Sequence, residues 1–117
     1  MTVRRIVANL HAADPRAAQT FYGELLGLDV LMDHGWILTF GAGGTMMPQL
    51  GVASEGGQGA PVPVLSIEVD DVDELYRRVK AAGHEIVYDL ADEPWGVRRF
   101  FVRDPLGNII NILDHAA

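Results

Sequence analysis

The chain has 117 residues, nearly half of them apolar and about a fifth charged, which fits one compact soluble domain and excludes a fibrous repeat or a disordered polymer. Nine Lys and Arg against sixteen Asp and Glu leave a net charge of −7, which opposes binding to a polyanion and favours a cationic partner over an anionic one. There is no cysteine, so a disulfide framework, a thiolate nucleophile and a zinc-thiolate cluster are all excluded.

In chain order, IVANLHAAD reads as a first strand, with too short an apolar run before His11 and Asp14 to serve as a signal segment. No stretch has the apolar length of a membrane span, so the expected location is the cytoplasm, with neither membrane nor nucleic acid as partner. PRAAQTFYGELLGL predicts a helix: Asp14 caps it, Pro15 suits its first turn, Gly27 ends it, and Ala18, Phe21, Tyr22 and Leu25 form its apolar stripe. DVLMDHGWILTFGAG predicts two strands joined at His34-Gly35, and the glycine- and proline-rich stretch 41–62 reads as a strand end and linker.

The same order recurs about 57 residues later. PVLSIEVDD is a strand, and VDELYRRVKAAG is a helix with a capping box between Asp71 and Glu74, an apolar face of Val72, Leu75, Val79 and Ala82, and a stop at Gly83. HEIVYDL and GVRRFFVRDPLGNIINILDH supply the closing strands, with a type I turn at Asp104-Pro105-Leu106-Gly107. The predicted organisation is a single domain over 1–117, with module one at 1–55 and module two at 60–117.

Alternate strand residues face opposite sides of a sheet. Ile6, Ala8 and Leu10 are therefore assigned to the helix side, around Phe21 and Leu25, leaving Val7, Asn9 and His11 on the other face. Likewise Leu65, Ile67 and Val69 go to the second helix, leaving Val64, Ser66, Glu68 and Asp70 opposite, and Ile110 and Ile112 contrast with Ile109, Asn111 and Leu113. One side covered by helices and one side mixed in polarity predict a curved wall around a cavity.

The doubled order, the segment D-x6-FY-x3-LG from Asp14 to Gly27, VDDVDELY and RDPLGN together resemble the vicinal oxygen chelate superfamily, which includes glyoxalase I, extradiol dioxygenases, and fosfomycin- and bleomycin-resistance proteins. The resemblance spans nearly the whole chain and implies an α+β fold: two βαβββ modules forming a curved mixed sheet around a cavity. Its metal-dependent members carry His, Glu or Gln ligands in the first strand of each module and in the last. The similar positions here are Val7, Val64, a region near Gln49, and Asn111. Valines cannot bind a metal, and amide oxygens seldom hold a transition metal unaided. No metal and no other cofactor is therefore expected.

That pattern implies a metal-independent binding protein resembling the bleomycin-resistance branch, which sequesters an aromatic or cationic compound in the pocket of a homodimer. The candidate ligand-binding residues are Asn9, His11, Trp36, Phe40, Gln49, Glu68, Trp95 and Asn111; core packing competes for the three aromatic rings, and Met46 and Met47 are candidate pocket lining. One of Arg98 and Arg99 is expected to face the ligand side. The alternative is a metal-dependent glyoxalase I-like or dioxygenase-like enzyme; a third reading is a metal-free enzyme with Glu68 or His11 as general base. His11 and Glu68, on the cavity face by parity, are the alternative donors for a non-standard metal centre. The acidic run from Glu68 to Glu74 looks like a binding edge that helix capping also explains, and His34, His84 and His115 read as surface groups.

Overall fold

The computed structural model describes residues 1–43 and 48–115. They form two units, Val7–Val62 and a second made of Met1–Ile6 with Pro63–Ala117. The division falls inside the first strand, β1 (Val3–His11), whose early residues belong with the second half of the chain.

In the first unit, β1 is followed by a helical segment, β2 (Asp29–Asp33), β3 (Ile37–Gly41) and β4 (Gln49–Ala53). The sheet order is β2-β3-β4-β1, with β4 parallel to β1 and the other pairs antiparallel. β4 lies within the stretch expected to be a strand end and linker. Leu50 to Ala53 pairs on both sides, so ladder hydrogen bonds with β1 and β3 outweigh the low strand tendency of its glycine. Met46 and Met47 lie outside the described residues.

The helical segment is not a regular α-helix. Asp14 accepts a hydrogen bond from the Arg16 amide at 3.1 Å, a 3-10 turn covers Pro15–Ala18, and π-winding covers Gln19–Leu25. This changes which side chains face inward. Ala18 and Tyr22 pack on the cluster of Leu38, Phe40 and Val52, whereas Phe21 and Leu25, assigned inward from the sequence, are 52% and 71% exposed. The π turn takes more residues than an α turn, so the apolar stripe drifts away from 3.6-residue spacing.

The second unit repeats the plan with β5 (Leu65–Val69), α1 (Val72–Ala81), β6 (Ile86–Asp92), β7 (Val97–Arg103) and β8 (Ile109–His115), in the order β5-β8-β7-β6. β5 runs parallel to β8, and the other pairs are antiparallel. Strand for strand this matches the first unit, so each is a βαβββ module of an α+β chain. Asp71 caps α1 by accepting from the Glu74 amide at 3.1 Å, the Asp71 half of the expected capping box, while the Glu74 carboxylate pairs with Arg78, and Gly83 follows the helix end with φ +83°. Its inner face meets Leu65, Ile67, Val69, Phe100, Val102, Ile110 and Ile112, the alternation expected for β5 and β8. The turn after β7 is drawn in by Asp104, whose Oδ1 accepts from the amides of Leu106 at 2.9 Å and Asn108 at 2.8 Å. Among the described residues no helix is long and apolar enough to cross a membrane.

Candidate functional site

In the first unit, the sheet face turned away from the helical segment carries a row set by register: Asn9 beside Gly51, and Gly51 beside Thr39. The Asn9 carboxamide lies over Gly51 so closely that a Cβ there would collide with its Oδ1, so the glycine is what lets this side chain lie flat on the sheet. Gln49 is half-buried at the start of β4, and His11 is exposed at the end of β1. Trp36 is half-buried, and its ring stacks on His34 with centroids 6.0 Å apart and planes at 18°. Phe40 does not belong with these residues. It is fully buried against Tyr22 on the helix side, because the register of β3 with β4 pairs it with Leu50 and so with the apolar face.

The second unit holds a denser arrangement on the face opposite α1. Ser66, Asn111, Phe101 and Tyr88 are neighbours across β5, β8, β7 and β6. Asn111 is 8% exposed, and its Nδ2 donates to Ser66 Oγ at 3.1 Å. Its Oδ1 is buried and has no hydrogen-bond partner among the described residues. Two positions along β7 from Phe101 comes Arg99, 3% exposed, so Arg99 is the arginine on this face. Its guanidinium carbon lies 4.8 Å from the ring centroids of Tyr88 and Phe101 and 5.0 Å from that of Trp95. Glu93 closes the group: its Oε1 accepts from the Tyr88 hydroxyl at 2.8 Å, and its Oε2 stands 3.6 Å from Arg99 Nη2.

Arg98 faces the other way. It binds Asp73 of α1 through Nη2 at 2.9 Å and meets Asp92 through Nη1 at 3.2 Å. The hydrogen bond from Arg98 holds the Asp73 carboxyl below its ordinary range, and Asp73, followed by Asp92, raises Arg98 in return.

The acidic run is not an open binding edge. Glu68 stands 3.2 Å from Arg5 Nε in an ion pair and 3.2 Å from His115 Nδ1; Asp70 Oδ1 accepts from the Thr2 amide at 2.7 Å; Asp71 caps α1; Asp73 holds Arg98; and Glu74 pairs with Arg78 at 2.8 Å. Each carboxylate has a partner within its own unit. His34, His84 and His115 are exposed, as expected, although His115 also serves Glu68.

Among the described residues no three His, Asp or Glu side chains group closely enough to hold a metal. At the positions where the resemblance implies donors, Val7 is a buried aliphatic, Val64 is an exposed aliphatic, and Asn111 already spends its amide nitrogen on Ser66. This donor chemistry does not fit the implied divalent metal.

The site residues read from the sequence therefore fall unevenly. Asn9 and Gln49 share one strand face in the first unit, and Trp95 and Asn111 belong to the polar-aromatic face of the second. Glu68 is tied to Arg5 and His115. Tyr88, Glu93 and Phe101 were not singled out. Phe101 shares strand parity with Arg99 and could have been; Tyr88 could not, because register shifts on both sides of it in β6 break simple alternation.

A model of the Glyoxalase/Bleomycin resistance protein/Dioxygenase superfamily matches residues 5–112. Among solved structures, one described as an NAD-dependent benzaldehyde dehydrogenase from Legionella pneumophila aligns over 95% of this chain and 99% of its own, with TM-score 0.76 and 19% identity. A glyoxalase/bleomycin resistance protein/dioxygenase superfamily member from Vibrio splendidus 12B01 aligns over 97% and 99%, with TM-score 0.66 and 22% identity. Methylmalonyl-CoA epimerase from Mycobacterium tuberculosis aligns over 95% and 87%, with TM-score 0.66 and 21% identity. At such identities these likenesses concern the fold. No curated protein matches the sequence.

Proposed function

The chain belongs to the Glyoxalase/Bleomycin resistance protein/Dioxygenase superfamily, and from that membership we propose that it is a metal-independent binding protein for a small aromatic or cationic molecule, working as a homodimer. The observation that carries this reading is the donor set: valines at 7 and 64, and at 111 an asparagine held by Ser66. Lewis-acid chemistry on vicinal oxygens needs a metal held by imidazole or carboxylate, and the carboxylates nearest those positions in sequence are engaged otherwise: Glu68 and Asp73 in ion pairs and Asp71 as a helix cap. In the second unit a polar-aromatic cluster suited to recognition is present instead, with the Arg99 guanidinium over the rings of Trp95 and Tyr88 and the Asn111 amide two strands away from Tyr88.

The test begins with protein purified without chelator. Elemental analysis is expected to find less than about a tenth of an equivalent of any divalent metal. A thermal-shift screen of planar aromatic and cationic compounds is expected to return ligands whose stabilisation is unchanged by EDTA and lost in Trp95→Ala. Stoichiometric metal, or binding abolished by EDTA and restored by a divalent ion, would replace this reading with that of a metal-dependent enzyme. Sedimentation equilibrium checks the dimer.

A further inference from the structure

We propose that Asn111 makes the second unit select a planar ligand that donates an N–H hydrogen bond, of the carboxamide or amidinium class, over one of the same shape that presents only acceptor oxygens. The inference rests on the binding reading above and narrows it to a ligand chemistry.

Asn111 sits inside β8 between Ser66 of β5 and Phe101 of β7, with little of its surface open to water. Its Nδ2 is committed to Ser66 Oγ, and this fixes the orientation of the amide plane. Oδ1 then points where no donor among the described residues reaches it. A buried amide oxygen left without a donor is uncommon in folded proteins, because water would satisfy it in the unfolded chain. A ligand N–H supplies the missing bond.

The same face repeats the imbalance at a second atom. Glu93 Oε2 is buried and lacks a hydrogen bond: Arg99 Nη2, at 3.6 Å, balances its charge without bonding to it, and the Tyr88 hydroxyl is spent on Oε1. Two buried acceptors on this face, Asn111 Oδ1 and Glu93 Oε2, thus lack a donor among the described residues. A substrate offering two neighbouring carbonyl or oxyanion oxygens would set oxygen against oxygen at Asn111, whereas a carboxamide or amidinium on a flat ring offers hydrogen to Asn111.

The probes are benzamide and methyl benzoate, which share a ring and a carbonyl and differ in the N–H, titrated into the 15N-labelled full chain and followed by NMR. Benzamide is expected to bind about tenfold more tightly and to shift the Asn111 side-chain amide signals, since leaving a buried acceptor unpaired forfeits about one order of magnitude in affinity. Asn111→Leu is expected to bring the two probes within about twofold, and Asn111→Asp to keep a preference for benzamidinium over methyl benzoate. Ser66→Ala, which frees the amide to turn, is expected to erode the preference and carries the test if Asn111→Leu fails to fold. Equal binding of benzamide and methyl benzoate to the wild-type chain, or a preference that survives both Asn111→Leu and Ser66→Ala, overturns the donor assignment and leaves the binding reading standing. If neither these probes nor benzamidinium perturbs the protein at millimolar concentration, the binding reading falls and takes this inference with it.

Discussion

Replacing Arg99 with methionine isolates the energetics of the buried cluster in the second unit. Arg99 and Glu93 have side chains only 3% and 2% exposed, at 3.6 Å separation, so neither charge is solvated and each depends on the other. Arg99→Met keeps much of the volume and the apolar contact with Tyr88, Trp95 and Phe101 but leaves the Glu93 carboxylate without a counter-charge. Removing one partner of a buried pair costs about 3–5 kcal/mol, and losing the guanidinium from three ring faces adds to this. For a chain of this size about 4 °C of Tm accompanies each kcal/mol, so thermal unfolding should shift down by about 12–20 °C. The double variant Arg99→Met/Glu93→Gln removes both charges while leaving an acceptor for the Tyr88 hydroxyl, and is expected to lose only about 1–2 kcal/mol. Urea titrations of the wild type, both single variants and the double variant give the coupling directly. If Arg99→Met costs under about 1 kcal/mol, or the double variant loses the sum of the singles, the two side chains do not form the interdependent pair described here.

The inner face of the first helical segment is checked by Tyr22→Ala against Phe21→Ala: the first should cost about 3 kcal/mol and the second less than about 1, because only Tyr22 packs on Phe40. Gly41→Ala places a Cβ 2.8 Å from the Pro48 carbonyl oxygen and against Leu31, and is expected to destabilise the chain by about 1–3 kcal/mol in urea titration. Acid stability follows from carboxylates held below their ordinary value of 3.8: Asp104 chiefly by the Asn108 amide, Asp73 by Arg98, Asp89 by the Tyr76 hydroxyl and Asp70 by the Thr2 amide. Because the folded values are the lower ones, their contribution is fully present above the unfolded carboxylate range and is lost as pH falls through the folded values. Tm should therefore be insensitive to these groups above about pH 5 and drop below about pH 4, less steeply in Asp104→Asn; an unchanged slope in that variant contradicts the assignment.

The parts of the fold legible in the sequence are those where one local rule acts alone. Asp71 and Glu74 mark a regular helix start, and the alternation of Leu65, Ile67 and Val69 with polar residues gives the inward face of β5 without knowledge of any partner strand. Phe21 and Leu25 were misassigned because helix phase depends on winding, and this segment is wound as 3-10 and then π. Phe40 was misassigned because its face is decided by register with Leu50, a relation between strands that no single strand encodes. Glu93 gave no signal: a carboxylate beside a Pro-Trp-Gly turn reads as solvent-facing until the fold brings Tyr88 and Arg99 around it.

The first residues of the chain answer to partners made much later. Thr2 exchanges two hydrogen bonds with Asp70, 68 positions away, and Arg5 meets Glu68. During synthesis Thr2 and Arg5 must stay unattached until the segment carrying Glu68 and Asp70 has been made, and closing so long a loop favours slow, late docking. Cleavage between Val62 and Pro63 would strand those six residues on the wrong fragment. The two fragments would then recover a native second unit only when recombined, a property that split-reporter fusions could use.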